Sequence, residues 1–394
     1  MSDWILTPTS YTTPAGMKVA HKKPIDEAWK KAKAGDRCLL DPGTYQGSMD
    51  IAVSGRPYGS APVEFAAING GVIFSPNPVG GSDTFGMKSG VSDLVLSNIT
   101  LQLDDRAGVK TVADKGARKV MLRNCQIVGA GPGPSDPLWK ASGKWGEHHF
   151  MRGNWTHIDC VIEKVFDEHA EYDNTIAGYN IWLRTKVRHC GRTRIQQANR
   201  KTNYGVPFPV GYGNQTFIDE DVEDVCLEQN GGGSAYTFHG GCPTSTITLQ
   251  GCKVRLGCAP TLAAPFNRSI TGAVMVHSGK ASQVGAGDEA HEGGTGRLVL
   301  PEPDIEVGTV WPGVGSAIRV NVDVSDCGEF LLQWGQGGRI LSNGANKIAL
   351  EIGPSVKRFA YTGQPAEWNG IVKYKGTPFN SWDLFAAAHP ELRG

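Results

Sequence analysis

The 394-residue chain has no excess of charge of either sign, because 39 Lys and Arg are matched by 39 Asp and Glu. General nucleic-acid binders need a basic surface, so this balance predicts no nucleic acid as a partner. The sequence also lacks an apolar run of the roughly 18 residues that span a bilayer, which predicts no membrane partner. The first residues lack the basic and apolar regions of a secretory signal. We therefore expect synthesis in the cytoplasm, followed either by incorporation into a phage virion or by export through another route.

Paired metal-binding cysteines are also missing. The chain has nine cysteines, an odd number, and they are widely spread with no CxxC pair. Sequences that bind zinc through cysteine usually contain such pairs, so this sequence predicts no zinc site. We expect reduced thiols that act as small buried core residues.

What the sequence does contain is a repeat marked by six of these cysteines. Each stands within a strand-like segment of alternating apolar residues, at Cys125, Cys160, Cys190, Cys226, Cys252 and Cys327. Their spacings are 35, 30, 36, 26 and 75 residues, the last being close to three units of about 25. A recurring unit of this length with period-two alternation is typical of a solenoid of strands. We therefore predict an all-β fold, a single-stranded right-handed parallel β-helix with the cysteines stacked inside the coil.

Two helical segments interrupt the strand pattern. Residues 24–35 have Pro at the start and Gly at the end, and residues 381–392 have Ser381 as a candidate N-cap. We predict that a short helix at about 24–34 caps a coil spanning 1–354, and that long loops leave one side of this coil. Residues 355–394 are less repetitive and are predicted to cap its end or lie along its flank.

The region 28–74 adds a family likeness. It contains "AGDRCLLDPGTYQG" followed by "SGRPYGSAPVEFAA". This run resembles the N-terminal start of pectate-lyase-like right-handed β-helix proteins, in which a short helix caps the coil and Gly-Asp and "PGTY" turns open the first rungs. That superfamily includes polysaccharide lyases, glycoside hydrolases, phage tailspike-type proteins and adhesins, so the resemblance implies the fold and leaves the reaction open. Tailspike-like members form trimers, which implies a homotrimer as one assembly.

The stretch "VFDEHAEYDN", residues 165–174, concentrates groups that can transfer protons. Its "EHAEY" resembles the His-Tyr rung of several carbohydrate-active β-helix proteins, although charge runs are often only solvated surface. The residues that we predict to be catalytic are Asp167, Glu168, His169, Tyr172 and Arg194.

Residues 181–201 form a basic strand and loop. Alternation directs Leu183, Thr185 and Val187 inward and leaves the basic side chains outside. Guanidinium groups bind carboxylate, sulfate or phosphate in a bidentate manner, which predicts a site for an anionic ligand. The basic residues predicted to bind substrate are Arg184, Lys186, Arg188, Arg192 and Arg200. The alternative is that they pair with the acidic run at 219–224 one rung later.

Three insertions, at 129–155, 199–214 and 230–241, are rich in aromatic residues. Loops that leave successive rungs on one side stand next to each other, so their rings could stack on sugars in a groove. Alternatively, the aromatic residues only anchor the loops. The residues predicted to bind substrate here are Trp139, Trp145, Tyr204, Tyr212, Tyr236 and His239.

Three functions follow from these residues. In β-elimination, an arginine, or a calcium ion held by Asp167, Glu168 or Asp173, neutralises the uronate carboxylate while His169 or Tyr172 moves the proton. In hydrolysis, Asp167 or Glu168 acts with a carboxylate of 219–224. In the third, the protein is a noncatalytic glycan-binding or phage-particle β-helix. The clustering of basic residues with a His-Tyr pair favours elimination of an anionic polysaccharide.

Overall fold

The structure of the protein is a computed structural model. The described residues are 2–46, 50–51, 56–75, 86–87, 91–102, 112–113, 118–129, 150–151, 155–163, 171–172, 179–188, 208–209, 214–223, 229–233, 235–239, 246–256, 268–270, 272–277, 297–307, 316–321, 329–335, 337–342, 347–354, 356 and 358–394.

The first sheet forms one wall of the molecule and has 14 strands. In spatial order they are Lys18–Ala20, Ser10–Thr12, Asp3–Thr7, Arg37–Leu40, Val63–Ala67, Ser92–Ser97, Arg118–Arg123, Trp155–Ile158, Tyr179–Leu183, Asn214–Ile218, Thr246–Gln250, Arg297–Leu300, Glu329–Trp334 and Arg358–Thr362. All pair in parallel except the two N-terminal pairings, which are antiparallel.

The second sheet has 11 parallel strands. In chain order they are Gly43–Gln46, Val72–Ser75, Thr100–Gln102, Gln126–Val128, Val161–Glu163, Lys186–Arg188, Asp221–Glu223, Lys253–Leu256, Asp304–Val307, Arg339–Leu341 and Glu367–Asn369.

The third wall consists of a three-stranded, a two-stranded and a seven-stranded sheet, called together the third sheet. Its strands are Asp50–Ile51, Gly86–Met87, Val112–Ala113, Phe150–Met151, Glu171–Tyr172, Phe208–Pro209, Tyr236–His239, Gly272–His277, Ser316–Asn321, Ile348–Ile352, Ile371–Tyr374 and Thr377–Phe379. A separate two-stranded sheet pairs Gln229–Gly233 with Arg268–Ile270. The chain passes from the first sheet to the second, to the third and back to the first. This path is a parallel β-helix, as predicted.

A tight corner joins the first sheet to the second in each central turn. A residue with positive φ, such as Asn124 (50°) or Asp159 (54°), is followed by one buried residue. The buried residues of successive turns form a column along the inside of the coil, called the corner column. The column includes Ile99, Cys125, Cys160, Thr185, Glu220 and Cys252.

The predicted cysteine stack is therefore present in part. Cys125, Cys160 and Cys252 are free and buried in one column, and burial raises the pKa of the Cys125 thiol to about 11. The column positions assigned to Cys190 and Cys226 are instead held by Thr185 and Glu220, because the positive-φ residues that set the corners are Arg184 and Asp219. The cysteines at 190, 226 and 327 lie outside the described residues.

Aromatic rings fill the coil interior between the corner column and the third sheet. The His157 and Trp182 rings on adjacent strands stack with centroids 3.9 Å apart at 6°, and Phe217 continues the stack 6.0 Å from Trp182. Asn180 and Gln215, register partners on the same two strands as Trp182 and Phe217, are also buried. The interior at these turns therefore combines stacked rings with buried amides.

Both ends of the coil are covered. Helix α1, Pro24–Lys31, buries Trp29 against Phe65 with ring centroids 6.3 Å apart. Helix α2, Trp382–Ala388, starts at Ser381, whose Oγ accepts a hydrogen bond of 3.1 Å from Leu384 N, as predicted. A 3₁₀ turn, Pro390–Leu392, follows it.

The coil extends past the boundary predicted at residue 354. Strands at 358–362, 367–369 and 371–374 each add to one of the three sheets, so a further complete turn precedes the C-terminal cap. Within the described part of the chain, no helix has the length and apolar character needed to cross a membrane.

Candidate functional site

Three successive connections leave the second sheet and enter the third sheet at neighbouring turns. They run from Gly129 to Phe150, from Glu163 to Glu171, and from Arg188 to Phe208. Their starting strands are paired in register within the second sheet. Because adjacent strands lie about 4.8 Å apart, the three connections start within about 10 Å of one another along the coil axis. We call this edge between the second and third sheets the loop edge.

Most of the predicted site residues belong to the loop edge connections, and all of those lie outside the described residues, as does Tyr212 in the next connection. These residues are Trp139, Trp145, Asp167, Glu168, His169, Arg192, Arg194, Arg200, Tyr204 and Tyr212. Tyr172 is the second residue of the third-sheet strand Glu171–Tyr172, which follows the second connection, and its backbone is the register partner of Met151. The backbone of His239 lies further along the third sheet, in register with His277.

Arg184 occupies the corner between the first and second sheets, away from the loop edge. Its φ is 53°, so the predicted alternation breaks here, and Leu183 is half-exposed where an inward position was expected. The guanidinium forms two hydrogen bonds to Asp159 of the preceding turn, at 2.6 and 2.8 Å. These bonds lower the pKa of the Asp159 carboxyl. The ion pair accounts for the charge of Arg184 without any ligand.

Lys186 and Arg188 lie on the outer face of the second sheet, within a ladder of alternating charge. Lys186 is in register with Asp221, and Arg188 with Glu223. The Arg188 guanidinium lies 3.4 Å from the Asp221 carboxylate and 3.5 Å from the Glu223 carboxylate. The pairing with the acidic run one rung later, left open by the sequence, is therefore observed for Arg188.

The same alternation of sign continues along the second sheet. Asp304 accepts hydrogen bonds from Arg255 and from Arg339, the latter at 2.6 Å. Burial alone would raise the pKa of the Asp304 carboxyl, but these two arginines outweigh it and lower the pKa. One column of this charge ladder reads Lys186, Asp221, Lys253, Asp304, Arg339 and Glu367. The neighbouring column reads Glu163, Arg188, Glu223, Arg255 and Glu306.

Tyr236, predicted to be a sugar-binding ring in a loop, is a core residue. Its side chain is fully buried and packs against Phe217 with ring centroids 5.1 Å apart. Its hydroxyl donates a 2.7 Å hydrogen bond to Oε2 of Glu220, across the interior of the coil. A stacking surface for a sugar on this ring would require it to leave the core.

Glu220 was expected on the surface as part of the acidic run. It is instead fully buried in the corner column, and burial raises the pKa of its carboxyl well above the ordinary value. Its second oxygen, Oε1, has no hydrogen-bond partner among the described residues. Asp221 and Glu223 lie on the second sheet in the charge ladder. Of these three acids, only Glu220 is enclosed in the core and withdrawn from the surface.

Among the described residues, no three or more His, Cys, Asp or Glu side chains form a group that could hold a metal ion. The described residues therefore contain no calcium site of this kind. Two features were missed at the level of sequence: the Glu220–Tyr236 hydrogen bond and the register pairing of His239 with His277. The Asp at position 219 is the signal for the first, because a positive-φ corner residue there places Glu220 in the inward corner column.

Comparison with known proteins gives few relatives. No protein-family model matches the chain, and no curated protein matches it. Among solved structures, the chain resembles the alginate lyase from Paenibacillus sp. str. FPU-7 with a TM-score of 0.38 and 14% sequence identity, over 81% of this chain and 95% of that chain. The description of this molecule as a parallel β-helix rests on its own strand pairing.

Proposed function

We propose that this protein is a carbohydrate-active β-helix that cleaves an anionic, uronate-containing polysaccharide by β-elimination at the loop edge. One observation carries the proposal: the strands flanking 130–149, 164–170 and 189–207 bring three connections to the same edge at neighbouring turns. Two of these connections contain four of the five predicted catalytic residues, and Tyr172 lies where the second one enters the third sheet. The first contains both of the predicted tryptophans, Trp139 and Trp145.

The roles follow from the chemistry of elimination. The uronate carboxylate has to be neutralised before its neighbouring C–H becomes acidic, and a group near the sugar has to remove that proton. Arg184 and Arg188 are already paired with carboxylates. We therefore assign neutralisation to Arg194, with Arg192 and Arg200 as further contacts, and proton transfer to His169 and Tyr172. A calcium ion held by Asp167, Glu168 or Asp173 is the alternative source of positive charge.

The test is incubation with a panel of uronate polymers. Elimination leaves a conjugated unsaturated sugar, so we expect ultraviolet absorbance to rise together with the number of new chain ends. Tyr172→Phe and His169→Ala should each lower the rate at least about 100-fold, the lower end of the effect of a general acid or base. Tyr58→Phe is the matched control, because Tyr58 is an exposed tyrosine near the N-terminal end, 54% accessible.

Two outcomes would replace the proposal. New reducing ends without ultraviolet absorbance would identify a glycoside hydrolase. Binding of a polymer without any cleavage would identify a noncatalytic glycan-binding or phage-particle β-helix, a function that the internal pairing of Arg184 and Arg188 also fits. Size measurement of the intact protein would separately test the predicted homotrimer.

A further inference from the structure

The outer face of the first sheet is apolar over the central turns of the coil. Alternate residues of each strand point outward there, and they lie in register with those of the neighbouring strands. Those that are partly exposed and uncharged form a continuous patch, called here the apolar face. Its members are Val95, Met121, Thr156, Ile158, Ile181, Leu183, Thr216, Ile218, Thr248 and Val299.

The core fixes which residues of these strands face outward. Trp155, His157 and Trp182 alternate in sequence with members of the apolar face, and all three are buried inside the coil. The rings of His157 and Trp182 stack with centroids 3.9 Å apart. A slip of one residue would move these rings to the surface, so the register that exposes Thr156 and Ile181 is strongly specified.

The second sheet shows how a solvated face of the same coil is built. Its outward residues in the two turns that contribute Ile181 and Ile218 to the apolar face are all charged: Lys186, Arg188, Asp221 and Glu223. The same two turns therefore present charge on one sheet and aliphatic side chains on the other. A contiguous apolar patch of this kind marks a surface that contacts another molecule, whereas scattered exposed aliphatic residues would need no explanation.

The chemistry of the apolar face selects its partner. None of its members, all of which belong to the described part of the chain, is charged or aromatic. An ionic ligand would find no opposite charge there, and a sugar would find no ring on which to stack. A regular sheet is, however, complementary in shape to another sheet, because two sheets pack face to face about 10 Å apart with their strands within about 30°.

We propose that the apolar face binds a second copy of this chain, in a face-to-face dimer about a two-fold axis. Strands lie about 4.8 Å apart and outward residues of one strand about 7 Å apart, so the face measures about 30 Å by 12 Å. Two such faces bury roughly 800 Å² together, and their rims bring the contact toward the roughly 1,000 Å² of a weak specific interface. Ile181 lies on the middle strand of the face, next to the two-fold axis.

Sedimentation velocity of the full-length protein, from low to several hundred micromolar, measures this association. We expect a reversible monomer–dimer equilibrium that Ile181→Asp weakens at least about tenfold, because the symmetry places the new charge twice in a desolvated contact. Ile73→Asp is the matched control, since Ile73 is an outward isoleucine of the second sheet, 36% exposed. Added salt should leave the dimer intact, because the contact is apolar.

A measurement on the unaltered protein covers the case in which a variant fails to fold. Peroxide converts exposed methionine to its sulfoxide. Met121 lies on the apolar face, and Met17 is 60% exposed at the N-terminal end of the chain. Peptide mass spectrometry should show that oxidation of Met121 slows severalfold as the protein concentration rises, while that of Met17 does not.

Four results would overturn the proposal: a monomer at every concentration, a trimer, equal dissociation by both isoleucine variants, or unchanged oxidation of Met121. A monomer whose binding to a polysaccharide is lost in Ile181→Asp would assign the apolar face to a glycan instead. Dissociation by salt would move the contact to the charge ladder of the second sheet and would also contradict the proposal. None of these results depends on cleavage of a polysaccharide.

Discussion

Glu220 occupies a corner position that other turns of the coil fill with Cys125, Cys160 or Cys252. A carboxyl in such a place is stable only when neutral, because burial penalises the charged form more than the Tyr236 hydroxyl relieves it. The folded state therefore keeps a proton on Glu220 at pH values where the unfolded chain has already released it. This residue makes stability depend on pH.

Glu220→Gln tests the linkage. The folded pKa is raised, so the contribution of Glu220 is full below the pKa of the unfolded carboxyl, about 4.3, and is lost as pH rises toward the raised folded pKa. Glutamine keeps the shape and does not titrate. We expect the melting temperature of the variant, measured by calorimetry, to increase relative to that of the wild type as the pH rises from about 4 to 8. Parallel pH profiles for the two proteins would contradict a neutral buried Glu220.

Single residues of the charge ladder and the core could be assigned in part from the sequence. The alternation of 181–188 correctly placed Thr185 and Val187 inside and Lys186 outside. Glu220 could not be assigned, because an acidic run reads as surface and only tertiary packing puts one member in the core. Leu183 failed for a local reason: the positive φ of Arg184 shifts the phase of alternation at the corner.

Among the elements, the corners between the first and second sheets set how closely successive turns approach. Near the C-terminal end of the coil, Gly338 has a φ of 80° and stands over Pro303 of the preceding turn. A Cβ at Gly338 would lie 2.6 Å from the Pro303 nitrogen and 2.7 Å from its oxygen. These are backbone atoms, so the turn itself would have to move.

Gly338→Ala should therefore lower the free energy of unfolding by at least about 3 kcal/mol, from backbone strain and overpacking together. Gly16→Ala is the matched control, because Gly16 has a φ of 81° and nothing lies within 4 Å of its added Cβ. That control should cost only the strain, about 1–2 kcal/mol. Denaturant unfolding measures both, and equal costs would show that the close approach at Pro303 is unimportant.

The helices were the elements most accessible from sequence, because their signals are local. Pro24 and Ser381 mark the starts of α1 and α2 as predicted, and α1 ends at Lys31, three residues before the predicted end at about 34. The corners were less accessible, since Asn, Asp, Arg and Gly all fill the positive-φ position. The spacing of the cysteines therefore does not locate the corners of these two turns, which fall at Arg184 and Asp219.

At the scale of the whole molecule, the caps cover the ends of the coil and so oppose strand pairing between molecules. At the C-terminal end, the strand Thr377–Phe379 pairs antiparallel with Ile371–Tyr374, and α2 packs Phe385 against Tyr361, Tyr374 and Phe379. Open ends of a solenoid expose backbone groups that invite edge pairing. The cap therefore contributes both stability and solubility.

Phe385→Ala should lower the free energy of unfolding by about 3–5 kcal/mol, because the side chain is fully buried among other rings. Leu384→Ala is the matched control on the same helix, where the side chain is 56% exposed, and should change the free energy by less than about 0.5 kcal/mol. Chemical denaturation checks both. Similar small effects would mean that α2 is not part of the cooperative core.

The parallel β-helix could be predicted from the repeat in the sequence, while the candidate site could not. Strand alternation at intervals of about 25 residues or more is repeated along the chain, so many weak signals agree on a coil. A site depends on which few side chains converge, and the spacing along the chain does not encode that. The loop edge depends on the pairing of the flanking strands at 126–128, 161–163 and 186–188, which are consecutive in one sheet.

The charge ladder on the second sheet also favours the correct pairing of each turn with its neighbour. Its sign changes with every rung, so the correct neighbour of Lys186 is Asp221 and the next rung but one carries Lys253. A folding chain that skipped a turn would set Lys186 against Lys253 and Arg188 against Arg255, like charges at the closest spacing. Successive turns of the coil are otherwise similar. The alternation of charge therefore disfavours a misfolded coil in which one turn has been left out of the strand pairing.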